Sequence, residues 1–482
     1  MVLSAVATDA AQIASRGAFV EPESATALCW LLLDDTKGNP HRAALPSAVY
    51  TETVASFLRF DEPLTEQLYA IGGRNKELGQ LDVVEMFDTW RGQWVSCPNM
   101  LSARSACAAA ALPDGRLFVA GGYDERGIVL GILASCETFD PREQRWSSTC
   151  APMGRPRWGH GCATLGGLVY AVGGCSLKMD MPASQDFMET LQSCEAYDPV
   201  ANRWLPRASL RVSRGGSRVA AVGDSHLVAV GGCNDVFGEP VMLPTVEIYD
   251  ARADQWSLLE TRLSVPRTTA AVAAIDDTRL FICGGACADE TTASASAEVY
   301  TLPASTADAQ SANSAQLAEI ADDDGAMAGR ALQDELSIGS HSTKPMDVDD
   351  AAVGRMGCQA IAIDLPASGE SFPMRTRRCV AVIGGEGDSG EDVEDSEDEP
   401  DICQFSNVLV YDLVEGTWRP DGSFPPMPTP RTAMALCVSR GCASRVRMPF
   451  EPPTRRRCNS EVSVGVCDHE KVTLRGSAPT SN

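Results

Sequence analysis

Short apolar runs recur along the chain, each ended by glycines or a polar turn. Ala106 to Leu112 and Leu117 to Ala120 are typical. Such runs are too short for core helices and lack the alternation of a half-exposed strand, so they read as strands buried on both faces. Paired glycines follow six of them: Gly72-Gly73, Gly121-Gly122, Gly173-Gly174, Gly231-Gly232, Gly284-Gly285 and Gly384-Gly385. Successive first glycines lie 49, 52, 58, 53 and 100 positions apart, a repeat of about fifty residues with one long insertion. A glycine pair ending a strand marks backbone angles or close approaches that a side chain would block.

A second element follows each pair. Glu85-Met-Phe-Asp88, Glu137-Thr-Phe-Asp140, Glu195-Ala-Tyr-Asp198 and Glu247-Ile-Tyr-Asp250 are full copies; Glu298-Val-Tyr-Thr301 and Leu409-Val-Tyr-Asp412 are partial. Nine positions after the first residue of the motif stand Trp94, Trp146, Trp204, Trp256 and Trp418, and the fifth copy has no tryptophan. A fixed offset behind a loop of varying length marks a rigid hairpin. Each unit is then a four-stranded antiparallel sheet that cannot bury both faces alone, and the sheets close into a ring.

The diglycines, motif aromatics and tryptophans, from about Gln67 to Ser439, resemble the kelch repeat family. The resemblance implies an all-β, six-bladed propeller, expected over residues 51–439. The fifth blade, lacking tryptophan and the terminal Asp, is expected to have a short or loose outer strand.

An arginine stands sixteen or seventeen residues before four of the diglycines, at Arg104, Arg157, Arg214 and Arg267, with Arg355 displaced by a longer hairpin. Blade one has Ala55 there, whereas Arg431 begins a surplus inner-strand pattern, Arg431 to Val438, with no diglycine after it. Residues 431–438 are therefore expected to complete blade one, as in the cullin-adaptor propellers that the chain resembles. The rival is Ala55 to Phe60. Closure of this kind removes two exposed sheet edges. No BTB, BACK or F-box pattern is recognisable in residues 1–50, which stay unassigned, and 440–482 reads as an irregular, disordered tail.

Charge changes the picture locally. Of the formal −25, most falls in two segments: 301–352, with ten carboxylates against two basic residues, and 386–401, with ten and none. Both read as solvated insertions. The acidity argues against nucleic acid as a partner, and the apolar run Ala27 to Leu33 is too short to span a membrane. With no secretory signal evident, the eighteen cysteines read as reduced core residues of a cytoplasmic or nuclear protein. Cys283 with Cys287 and Cys437 with Cys442 lack the repeated partners of a zinc site.

The five histidines, at 41, 160, 226, 341 and 469, have no metal-ligand spacing, and no phosphate-cradling loop is present. No cofactor is expected. The expected role is a protein-interaction module, a substrate-recognition or scaffold subunit, with a kelch-type enzyme as the alternative. All six arginines begin inner strands on one face. They are expected either to ring the mouth and grip an acidic peptide or to tie blades together. The resemblance also implies a ubiquitin-ligase subunit as a partner. The acidic segments are expected on the same face, as flaps above the arginines.

Overall fold

The computed structural model describes residues 65–441 apart from 89–91, 179–187, 239, 288–292, 304–343, 347–353, 367–375, 389–401 and 421. Six four-stranded antiparallel sheets follow one another as blades. From inside outwards, blade two is Ala108–Ala111, Leu117–Ala120, Cys136–Asp140 and Arg145–Ser147. Blades three and four repeat this order from Gly161–Leu165 and Arg218–Val222. Innermost strands lie against one another around the ring, and the sixth meets the first.

Closure follows the C-terminal expectation. Ala435–Gly441 pairs antiparallel with Thr65–Ile71, in a register that places Val438 opposite Leu68 and Ala435 opposite Ile71. The closing seam is as apolar as the others: Leu68, Ala70 and Phe87 of blade one bury against Ile363, Ile383, Val410 and Phe424 of blade six. The rival strand, Ala55 to Phe60, lies outside the described residues, as do 1–64 and 442–482.

The diglycines sit where blades touch. All twelve glycines have positive φ, from +58° to +98°. A Cβ on Gly121 would stand 2.4 Å from the Arg157 carbonyl oxygen of the next blade, and one on Gly122 would stand 2.5 Å from the Ser105 carbonyl of its own. Room exists only for hydrogen.

Blade five is corrected in one respect. Its outer strand is Lys344–Met346, which pairs with Ala297–Thr301. The greater part of the long acidic segment, 302–343 with seven of its ten carboxylates, therefore lies within blade five, between its third and fourth strands, while 347–354 still join blades five and six. It departs beside Thr278, whose carbonyl accepts from the Leu302 amide, at the end of the blade opposite the diglycines. The second acidic segment leaves from the diglycine face, where Glu386–Asp388 pairs with Ile402–Gln404 as a two-stranded ribbon. Residues 389–401 lie outside the described residues.

Two residues after each repeated arginine the backbone turns left-handed: Ala106, Gly159, Gly216, Thr269, Gly357 and Ala433 have φ between +50° and +67°. Their amides form one closed circle. Ala106 donates to Ala433, which donates to Gly357, then Thr269, Gly216, Gly159 and back to Ala106, each bond 2.8–3.1 Å. This belt ties all six blades around the axis. Thr269 is its one β-branched member, and a left-handed conformation costs such a residue about 1–2 kcal/mol. Thr269→Gly is therefore expected to raise stability by up to about 1 kcal/mol, partly offset by unfolded-chain entropy. The check is a higher denaturant midpoint with unchanged slope.

Candidate functional site

Arg104, Arg157, Arg214, Arg267, Arg355 and Arg431 do begin inner strands on the diglycine face, but none of them opens towards a ligand. Each is at most 2% exposed. Arg104 donates from Nη1 to the Gly121 and Ser135 carbonyls, both at 3.0 Å, and from Nη2 to Glu137 at 2.7 Å. The same pattern joins Arg157 to Glu195, Arg214 to Glu247, Arg267 to Glu298 and Arg431 to Glu85. Blade six has Leu409 in place of the glutamate, and Arg355 instead donates to Asn407 and lies over the Phe405 ring. The expectation of an arginine-ringed, acid-binding mouth is corrected. A buried guanidinium needs a counter-charge and acceptors, and in five of the blades the fold supplies the carboxylate and most of the acceptors from within the blade.

The arginine also joins neighbouring blades through its backbone. Its carbonyl accepts from the second glycine of the preceding blade, as Arg104 does from Gly73 and Arg431 from Gly385. Side chain and carbonyl thus hold the diglycine turns of two adjacent blades.

Every residue of the Glu-x-aromatic-Asp motif acquires a task. The second carboxylate oxygen of Glu137 accepts from the Leu101 amide, and that of Glu195 from Gly154, fixing the incoming connector. The aromatic ring packs on its blade's tryptophan, with Phe139 and Trp146 5.1 Å apart. Asp140 caps the outer turn by accepting from the amides of Arg142 and Glu143. Trp94, Trp146 and Trp204 donate to carbonyls of the preceding blade's exit strand or connector, at Pro425, Pro98 and Ala151. A further signal, a Ser or Thr two positions before the glutamate, escaped the sequence reading. The hydroxyls of Ser135, Ser193, Thr245 and Ser296 accept from the arginine Nη2.

The diglycine face exposes apolar side chains beside its charged ones. Seven large hydrophobic side chains are exposed among the described residues. Five of them, Leu78, Leu101, Val129, Leu130 and Ile402, sit on loops of this face; Val200 and Val414 sit on outer turns of the other. Leu130, 75% exposed, ends a short helix, Gly127–Leu130, in blade two's loop. Beside the mouth, half-buried Trp158 meets Tyr123 and Phe237 edge-on, at 5.9 and 6.1 Å between ring centroids. This joins loops of blades two, three and four.

The channel has a volume of about 550 Å³ and is lined mainly by small and aliphatic residues from the inner strands, together with His160, Arg218, Gln359 and Arg378. Among the described residues no group of three or more His, Cys, Asp or Glu is placed to hold a metal ion. The described cysteines form no disulfides and are mostly buried. Burial pushes the Cys107 thiol up to about 11, so it stays protonated at neutral pH.

A family model described as the KLHDC2/KLHL20/DRC7 Kelch-repeats domain matches residues 63–302. Beta-scruin of Limulus polyphemus is 28% identical over 253 residues, which cover 50% of this chain and 26% of that protein. Kelch-like protein 34 of Homo sapiens is 31% identical over 192 residues, 40% of this chain and 28% of its own. Kelch-like protein 25 of Xenopus tropicalis is 33% identical over 189 residues, 39% and 29% respectively. The chain thus aligns with less than a third of the length of each of these relatives.

Proposed function

Because the chain is a kelch-repeat β-propeller, we propose that it acts as a protein-interaction module, a scaffold or substrate-recognition subunit that grips its partner on the diglycine face. The observation that carries this reading is the uneven distribution of exposed apolar side chains, five of seven on that face. Exposed apolar side chains gathered on one face, with aromatics beside them, mark binding surfaces. The partner surface is accordingly expected to bring apolar groups to these loops; the six repeated arginines, being enclosed, give no preference for an acidic peptide. A ubiquitin-ligase subunit is one class of partner consistent with the likeness to adaptor propellers. The reading is of a binding protein and not of an enzyme.

The test is capture by the immobilised intact chain, wild type against Leu130→Asp and Trp158→Ala, with Val200→Asp and Val414→Asp as opposite-face controls. The face variants are expected to lose most of the specifically retained protein while melting at the wild-type temperature, and the controls to retain it. Equal retention by all five proteins would overturn the proposal.

A further inference from the structure

The residue after the repeated arginine is Ser105, Gly215, Thr268, Met356 or Thr432 in five blades; blade three carries Trp158 there. The indole is half-buried at the entrance of the inner strand, on the diglycine face, where Trp158 and Cys175 exchange backbone hydrogen bonds. Tyr123 of blade two and Phe237 of blade four, both partly exposed, meet it from the neighbouring blades, their ring centroids 5.9 and 6.1 Å from its own. The blade-four loop is held over blade three by the Val236 amide, which donates to Thr190 Oγ1 at 3.0 Å. None of the three rings belongs to the Glu-x-aromatic-Asp motif or to the tryptophan that packs behind it.

The loops that carry Tyr123 and Phe237 also carry negative charge. Glu125 and Asp235 are exposed, and neither has an ion-pair partner among the described residues. Arg126 and Arg155 are already engaged, with Asp124 at 2.7 Å and with Glu189, and Lys178 has a partner of its own. In sequence, the six segments that join second to third strands, all leaving from this face, carry twenty-one carboxylates against four basic residues. The repeated arginines do not offset this, because five of them are paired with glutamates inside the blades. Aromatic rings attract cations through their quadrupole, and a negative field raises the local concentration of a basic ligand. Resting on the diglycine face as the partner surface, we propose that the Trp158 cluster is the docking point for a basic segment of a partner protein. An Arg or Lys side chain of that segment seats against Trp158, flanked by the loops of Glu125 and Asp235. An apolar neighbour in the segment packs on exposed Leu130, in the same loop as Tyr123. The same carboxylates disfavour an acidic segment.

Fluorescence anisotropy of a fluorescein-labelled peptide of repeated Arg-Leu-Ser units, titrated with the intact chain, tests the proposal, with the Glu-Leu-Ser counterpart as charge control. The basic probe is expected to bind saturably and the acidic probe not at all. Glu125→Gln with Asp235→Asn, and separately Trp158→Ala, should each weaken the basic probe by about fivefold or more, as loss of a cation–π contact or of two charge pairs does. Trp158→Phe keeps a ring and should retain most of the affinity. Asp224→Asn with Asp277→Asn removes the same charge from exposed hairpins of the opposite face and should change affinity by less than about twofold. No saturable binding of the basic probe, equal weakening by the two double variants, or full affinity in Trp158→Ala would each overturn the docking point. The capture experiment separates the two levels. Protein lost by Leu130→Asp but kept by Glu125→Gln with Asp235→Asn would overturn the basic segment and leave the partner face standing. Protein kept by both would remove the face, and this inference with it.

Discussion

Arg214→Met is expected to destabilise the propeller by about 3–5 kcal/mol, the usual cost of removing one partner from a buried ion pair. Both side chains of the Arg214–Glu247 pair are fully enclosed. The substitution strips the carbonyls of Gly231 and Thr245 of donors at 2.8 and 2.9 Å and leaves a buried carboxylate without its cation. Glu247 still accepts from the Arg211 amide at 2.7 Å, which holds the connector but does not neutralise the charge. The double variant Arg214→Met with Glu247→Leu should regain much of the loss, since an apolar pair leaves no charge behind. Arg126→Met provides the contrast: its ion pair with Asp124 is exposed, and such pairs contribute little. Equilibrium denaturation of the four proteins decides. Were Arg214 a ligand-binding residue at an open mouth, its replacement would change stability by no more than about 0.5 kcal/mol.

Truncation after Pro430 is expected to abolish cooperative folding altogether. It removes the inner strand of blade one and exposes seven residues of Thr65–Ile71 as an unpaired edge. It also takes away Met434, Ala435 and Cys437 from the seams on either side, and Arg431 from Glu85. Each buried apolar side chain contributes about 1.5–3 kcal/mol, against a total stability of about 5–15 kcal/mol. The ring cannot absorb that loss. Truncation after Gly441 leaves every described strand intact and is expected to melt cooperatively near the wild-type temperature. Circular dichroism melts and size-exclusion profiles of the two truncations check this.

The ring was legible in the sequence because its constraints are local and repeated. A diglycine whose Cβ would strike a neighbouring carbonyl cannot vary, and a tryptophan nine residues behind the motif cannot slip without losing its ring contact. Closure by the C-terminal strand could be inferred because Arg431 begins a surplus inner strand while Ala55 fails the pattern. Of the two tasks the sequence left open to the arginines, gripping a ligand and tying blades together, the structure bears out the second. Their place at a strand entrance suggested an open mouth, but the glutamate of the same repeat reaches the guanidinium from the third strand of the blade. The Ser-x-Glu and Thr-x-Glu spacing in four blades was the available clue. The outer strand of blade five escaped because Lys344-Pro345-Met346 has no tryptophan and lies more than forty residues beyond Thr301. The exposed leucines of the binding face belong to loops of unrelated length, where repetition carries no information. Trp158, by contrast, stands out only once the repeat is aligned on its arginines.

A partner-binding face and an enclosed channel both require that the circle of backbone bonds be unbroken at the chain's own junction. Amide hydrogen exchange at Ala433 measures this directly. Its N–H donates to Gly357 and its carbonyl accepts from Ala106, so it bridges blades six, one and two. It should exchange as slowly as the amides of Ala106 and Thr269, through the same global opening. Exchange at Ala433 faster by orders of magnitude, with Ala106 and Thr269 still protected, would mean that the ring is open between blades one and six.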